Sequence, residues 1–390
     1  MDPRYSIDCL RSLVAFDTVS AHPNRPLIDW AADRLDAAGM RVRLLASDDG
    51  RHANLFASAG PDEVAGVILA GHSDVVPVEG QAWRTDPFRL EERDGNLIAR
   101  GAADMKGFIA CVIALAPQLV ASARTQPVHV ALTYNEETDM RGMRELAGVL
   151  AAMDVRPAAC VIGEPTSMQV VVANKGAAIF QCKIRGHPVH SSLRDRGVSA
   201  VEIAAEMIAF LNRLQQRLNG AERHDGFEFP HTSIHAGMIR GGTAHNITAQ
   251  DCEFVFEIRA LPGVSADALV AELQTFCEQT LLPPMRAISP ACAIAITPVV
   301  NAPGLDDHGN RSLADALMPM CACHRVGRVS FGTEAGFVTA AGIPTVVCGP
   351  GDITVAHQPD EYVTIDQLGR CQDFLLTLGR RLERAPLITR

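Results

Sequence analysis

Short, continuously apolar runs limit what this chain can fold into more than any other feature. Val67-Ile-Leu-Ala70, Ala159-Cys-Val-Ile162 and Pro344-Thr-Val-Val-Cys348 show almost no alternation between apolar and polar residues. A strand with that pattern is covered on both faces, as in the interior of an α/β sheet. Helical patterns fall between the runs. Leu27, Ile28, Ala31, Leu35 and Ala38 recur at helical spacing and stop at Gly39, a residue suited to ending a helix. Residues 105–122 predict a helix kinked at Pro117, residues 128–134 a further strand, and residues 141–152 another helix. The fold class is α/β, with helices on both faces of a mixed sheet.

The rhythm changes near residue 176. Strands are predicted over residues 177–185, 232–240, 251–259 and 292–297, with helices over 198–217 and 266–280. That β-α-β-β-α-β order is the split-βαβ, ferredoxin-like arrangement. The chain of 390 residues has room for two domains. The expected division is a first domain of residues 1–175 and 290–390, interrupted by an insert of residues 176–289.

Composition removes several functional classes. No apolar run reaches the ~18 residues of a membrane span. The opening residues carry acids and lack the apolar core and cleavage site of a secretory signal. The 11 cysteines are scattered through apolar surroundings, the pattern of reduced thiols in a cytoplasm. Cys321-Ala-Cys323-His324 is too tightly spaced for a zinc finger and has no second pair, so it reads as packing. A formal charge of −10 argues against nucleic acid and mildly favours a cationic ligand.

The residues that carry chemistry lie just past apolar strands. His72-Ser-Asp74 follows one, Glu136-Glu137 a second and Glu164 a third, while Asp104 immediately precedes a helix. Ligands of open α/β sheets bind outside the carboxyl ends of strands, so these segments can converge on one crevice. An acid before a helix is ordinarily a cap, and a lone His an ordinary hydrogen-bonded residue; four such coincidences together favour a site. Carboxylates and imidazoles without thiolate suit zinc, cobalt or manganese. Asp74, two residues beyond His72, is placed to accept the ring's other N–H. Glu136 and Glu137 point different ways, so one can bind metal while the other serves as general base. His357 sits in a polar loop after the last buried strand and can supply another ligand.

At this point the sequence resembles the dinuclear-zinc family of acetylornithine deacetylases, succinyl-diaminopimelate desuccinylases, aminoacylases and glutamate-type carboxypeptidases. The likeness runs in order through Gly-His72-Ser-Asp74-Val-Val-Pro, Gly-Ala-Ala-Asp104-Met-Lys-Gly, Glu136-Glu137 and Gly-Glu164-Pro-Thr. It continues through His190-Ser-Ser, Gly-Gly-Thr-Ala-His-Asn246, Ile-Arg259, Gly332-Thr333-Glu-Ala-Gly and His357. The resemblance implies a metallopeptidase-like catalytic domain, an inserted dimerisation and lid domain, and a homodimer. It also implies two Zn2+ per subunit, with Co2+ able to substitute. His72, Asp104 and Glu164 would hold one ion, and Asp104, Glu137 and His357 the other, leaving Glu136 as the base. His190 would reach the neighbouring subunit's site and stabilise the oxyanion. Arg259 would clamp the substrate carboxylate, Asn246 would join that pocket, and Gly332 and Thr333 would line the amide side.

Within the family, Phe-Gly332-Thr-Glu334-Ala-Gly and His357-Gln-Pro-Asp-Glu-Tyr most resemble the acetylornithine deacetylases. That likeness implies hydrolysis of N2-acetyl-L-ornithine to L-ornithine and acetate. Deacylation of another N-acyl amino acid and carboxypeptidase or dipeptidase action on the same scaffold are the alternatives. A non-catalytic metal-binding relative is a third, opposed by the presence of Glu136 and all five ligands. Glu334 reads either as an attractor of a substrate ammonium or as an acid at a helix start. Lys106 reads as a balance to local acid, and His187 as structural.

Overall fold

A computed structural model describes residues 3–221 and 223–388. The chain divides into two compact units, Met1–Ala173 with Leu305–Arg328 and Thr333–Arg390, and Asn174–Gly304 with Val329–Gly332.

In the first unit an eight-stranded mixed sheet has four parallel strands at its centre: Val128–Thr133, Val67–His72, Ala159–Pro165 and Thr345–Gly349. Every residue of these four is buried, as their apolar runs require. Ala53–Ala59 and Arg41–Ala46 extend the sheet antiparallel on one side, and Val171–Asn174 and Gly327–Val329 complete it on the other. Because the central strands run in one direction, their carboxyl ends share one edge of the sheet. The segments carrying His72, Glu136 and Glu164 emerge there.

Local sequence explains the flanking helices. Arg25–Ala37 buries Leu27, Ile28, Ala31 and Leu35. It ends where Gly39 adopts φ +94° and the Met40 N–H reaches back to the Leu35 carbonyl, a left-handed cap. The helix expected over residues 105–122 is two: Lys106–Ala114 and Ala116–Ser122. Pro117 sits in the first turn of the second, where its missing N–H leaves no bond unmade. Among the described residues no helix is long and apolar enough to cross a membrane. All 11 cysteines are free thiols.

The second unit is built on a four-stranded antiparallel sheet in the order Ser233–Gly241, Asp251–Ala260, Gly176–Arg185, Ala293–Ala302. Helices Ala200–Asn219 and Ala266–Phe276 start at Ser199 and Ser265, whose side chains accept backbone N–H groups of the first turn. Phe180, Phe254, Phe256, Met207, Leu211 and Leu273 fill the core beneath them. This is the expected split-βαβ order, with a corrected boundary. The insert does not end at residue 289, because Ala293–Ala302 pairs along Gly176–Arg185 and carries the unit to Gly304. The helix expected over residues 266–280 also differs, passing through a π turn at Cys277–Leu281 into Leu282–Ile288.

Candidate metal centre

His72 closes the strand Val67–His72 and is fully buried. Its Nδ1 lies 2.9 Å from the Asp74 carbonyl oxygen, and its Nε2 is 2.9 Å from Asp104 Oδ1 and 3.7 Å from Glu164 Oε1. A carbonyl only accepts, so Nδ1 carries the proton and a neutral ring turns its Nε2 lone pair toward two carboxylates. Facing lone pairs need a proton or a cation between them. The other oxygen of Asp104, Oδ2, is 3.2 Å from His357 Nε2, which is itself 3.1 Å from Glu137 Oε1. Asp104 therefore shows each of its oxygens to a different imidazole.

The donor set fits divalent metal. Glu164 Oε1 is buried without a hydrogen-bond partner. In each of two groups, His72 with Glu136 and Glu164 and His72 with Asp104 and Glu137, the donor atoms lie within 4.8 Å of one another. Four buried carboxylates so close repel unless cations neutralise them. Their proton affinities follow from that crowding. Burial, then the charge of Asp104, lifts Glu137 to about 7 and Glu164 well above the usual carboxylate range. Burial lifts Glu136 likewise, opposed by His72 and reinforced by Glu137 and Glu334. Burial pulls the His72 imidazole down, but the Asp104 hydrogen bond and the surrounding carboxylates raise it well above its ordinary value. Hydrogen bonds to Asp104 and Glu137 bring His357 up to about 10. Burial of Asp104 is outweighed by His357 and His72, which hold it low.

Asp74 departs from the sequence expectation. Its carboxylate is 3.8 Å from His72 Nδ1, and the backbone carbonyl of the same residue takes the ring contact. The carboxylate instead accepts the Ser20 hydroxyl at 2.6 Å and the backbone N–H groups of Glu136 at 3.1 Å and Glu137 at 3.3 Å. Asp74 thus positions the glutamate pair. The turn that presents the pair begins at Asn135, whose φ of +58° is one Asn tolerates, and its carbonyl accepts from the Met140 N–H at 2.7 Å.

Three buried groups gain a definite place. Glu334 is fully buried at the start of Ala335–Ala340 and accepts the Thr133 hydroxyl at 2.8 and 2.9 Å on its two oxygens. It is held at about 7 by burial and faces the Thr133 strand end. Glu361 accepts the N–H groups of Ala103 and Asp104 on Oε1, at 2.9 and 3.0 Å, so it bears on the Asp104 backbone. Sequence reasoning missed this role; the acid four residues after His357 was its only signal. Lys106 Nζ donates to the Phe16 carbonyl at 3.0 Å, and burial lowers it to about 7.

His190, Asn246, Arg259 and Gly332 belong to the second unit. The structure brings the first two together: His190 bridges to Ile247, and the Ser191 N–H donates to the Asn246 carbonyl at 2.9 Å. His190 is exposed, and its Nδ1 accepts the Ser192 N–H at 3.2 Å. That bond leaves the ring proton on Nε2. Arg259 lies on Asp251–Ala260, half-buried, with Nη2 3.1 Å from Glu257. His187 pairs through its backbone with Val198. Thr333, in the first unit, is buried and its hydroxyl accepts the Ala335 N–H at 3.2 Å. Cys321 contacts Cys348 at 3.5 Å between sulfurs, and among the described residues no cysteine joins a group of three metal-donor atoms.

Residues 68–381 match Peptidase family M20/M25/M40. The chain is 39% identical over 375 residues to the acetylornithine deacetylase of Myxococcus xanthus, covering 94% of each chain. It is 34% identical over 367 residues to that of Proteus mirabilis, covering 92% of this chain and 91% of the other. Among solved structures, an M20 family metallo-carboxypeptidase from Sulfolobus solfataricus matches with a TM-score of 0.75 at 14% identity, covering 98% of this chain and 100% of that one. An aminopeptidase from Bacillus cereus matches with a TM-score of 0.73 at 19% identity, covering 98% and 99%. At such identities the likeness carries the fold alone.

Proposed function

This chain belongs to peptidase family M20/M25/M40, and from that premise we propose that it removes the acetyl group from N2-acetyl-L-ornithine. The products are L-ornithine, for arginine biosynthesis, and acetate. The chain is a metal-dependent hydrolase acting on amides. The observation that carries the reaction is Asp104, with its two oxygens on His72 and His357 and Glu136 beside them. The choice of substrate is supported by the full-length likeness to acetylornithine deacetylases.

In this reading His72, Asp104 and Glu164 would hold one Zn2+, and Asp104, Glu137 and His357 a second, and Co2+ would serve in their place. Bound divalent ions supply Lewis acidity, lowering the pKa of water and withdrawing electrons from the amide carbonyl. Glu136 takes a proton from the attacking water and returns it to the nitrogen as the C–N bond breaks, so amide and water become amine and carboxylic acid. His190, with its proton on Nε2, donates to the developing oxyanion from the neighbouring subunit of a cytoplasmic homodimer. Arg259 receives the substrate carboxylate on its planar fork, Asn246 adds a contact there, and Gly332 and Thr333 flank the amide.

A panel of N-acyl amino acids and dipeptides, assayed with metal-replete protein, tests the substrate. N2-acetyl-L-ornithine is expected to show the highest kcat/KM, exceeding neutral N-acetyl amino acids and dipeptides by about 100-fold. A dipeptide or another acyl amino acid turned over faster overturns the assignment. The shared site has its own test. His190→Ala and Glu136→Ala are each expected to be inactive alone, and mixing them to recover up to about a quarter of wild-type activity through heterodimers. No recovery after subunit exchange has been verified by mass spectrometry removes His190 from the neighbour's site.

A further inference from the structure

Arg100 and Glu361 form an ion pair at 2.7 Å, and each is only 1% exposed. Burying two charges carries a large desolvation cost, which hydrogen bonding must offset. Arg100 Nε is buried without a hydrogen bond, and the bonds made by the other atoms of the pair lead to the metal centre. Glu361 Oε1 accepts the N–H groups of Ala103 and Asp104, while Oε2 takes Arg100 Nη1. The same Nη1 reaches the Gln358 carbonyl at 3.4 Å, next to His357. Nη2 of Arg100 donates to Gln81 Oε1, which also accepts the Trp83 indole N–H at 3.0 Å. Gln81 then donates through Nε2 to the His357 carbonyl at 3.0 Å.

The network therefore ends on the backbone of Asp104 at one side and of His357 at the other. These residues stand on separate loops, and His357 needs the support. Its side chain is 47% exposed and its φ is +63°, a backbone state most residues avoid. His72 and Glu164 are secured differently, by the buried central strands Val67–His72 and Ala159–Pro165.

We propose that Arg100, Glu361 and Gln81 are positioning residues, a clamp that fixes Asp104 against His357 and so bears most heavily on the ion these two hold together; the other ion shares Asp104 but keeps His72 and Glu164, which the clamp does not touch. The proposal rests on the two-ion reading above. A positioning carboxylate behind metal ligands is commonly worth 10- to 100-fold in metal affinity. The clamp's effect falls chiefly on the ion that His357 holds, because two of that ion's ligands, Asp104 and His357, end the network.

The test adds Co2+ to metal-free full-length protein and follows visible absorption together with competition by a chromophoric chelator. Glu361→Gln is expected to bind the second equivalent about 10- to 100-fold more weakly than wild type, with the first far less affected. The weakened band is the one missing from His357→Ala, not the one missing from His72→Ala. Gln81→Ala, a change at the partly exposed end of the network, is expected to keep the fold by circular dichroism and to weaken the same band by about 3- to 10-fold. Two equivalents bound with wild-type affinity by Gln81→Ala and by folded Glu361→Gln overturn the clamp and leave the two-ion reading standing. Selective loss of the band tied to His72 overturns it as well. Wild-type protein that binds fewer than two equivalents overturns the two-ion reading and the clamp with it.

Discussion

Glu136→Gln is expected to lower kcat by about 10³-fold while the protein keeps its metal and its fold. The substitution preserves size and hydrogen-bonding reach and removes only the ability to take up a proton. Glu136 is 9% exposed, and burial followed by the charges of Glu137 and Glu334 raises its proton affinity against the pull of His72. A carboxylate with raised basicity is suited to take a proton from water and hold it until the amine departs. Asp74 fixes its place through the Glu136 N–H, so the variant should retain its backbone position. The control that matters is metal content, because the Glu136 carboxylate lies within donor reach of His72 and Glu164. Loss of an ion in Glu136→Gln would make it a ligand instead of the base. A kcat within tenfold of wild type, at full metal content, would remove it from proton transfer.

Much of this arrangement is legible in the sequence because its causes are local. The run Val67-Ile-Leu-Ala70 encodes a strand buried on both faces, and such strands in parallel present their following residues at one edge. The pattern marks His72, Asp104, the pair Glu136 and Glu137, Glu164 and His357 as candidates on five segments, while the choice of Glu137 as the ligand is what the family resemblance implies. What stayed hidden depends on partners far away in the chain. Glu361 and Arg100 meet across 261 residues, and no spacing or periodicity connects them. Glu334 follows the same logic, since its acceptance of the Thr133 hydroxyl spans 201 residues. The turn after His72 hides another detail. It brings the Asp74 carbonyl to the ring and frees the carboxylate for the glutamate pair. The sequence predicts only residues 292–297 of the strand Ala293–Ala302, because an edge strand lacks the continuous apolar run of a central one.

Chelation of the metal is expected to abolish turnover, with Zn2+ or Co2+ restoring it, and the affinity of the protein for either ion is expected to rise with pH. The direction follows from which protonation state can coordinate. A carboxylate or imidazole binds metal only after losing its proton, so a group protonated in the metal-free protein must release it. Glu137, lifted to about 7 by burial and the charge of Asp104, is partly protonated at neutral pH. His357, raised to about 10 by its bonds to Asp104 and Glu137, is protonated there. Affinity should therefore increase about tenfold per pH unit for each proton displaced, between pH 6 and pH 8. Calorimetric titrations in buffers of different ionisation enthalpy report the number released directly. Bound metal should also raise the melting temperature, since free ion at a hundredfold excess over Kd stabilises the folded chain by about 2.7 kcal/mol. Binding without proton release and with flat pH dependence would mean that the ions lie away from Glu137 and His357. Full turnover by metal-free protein would leave Asp104, between its two imidazoles, with no part in the chemistry.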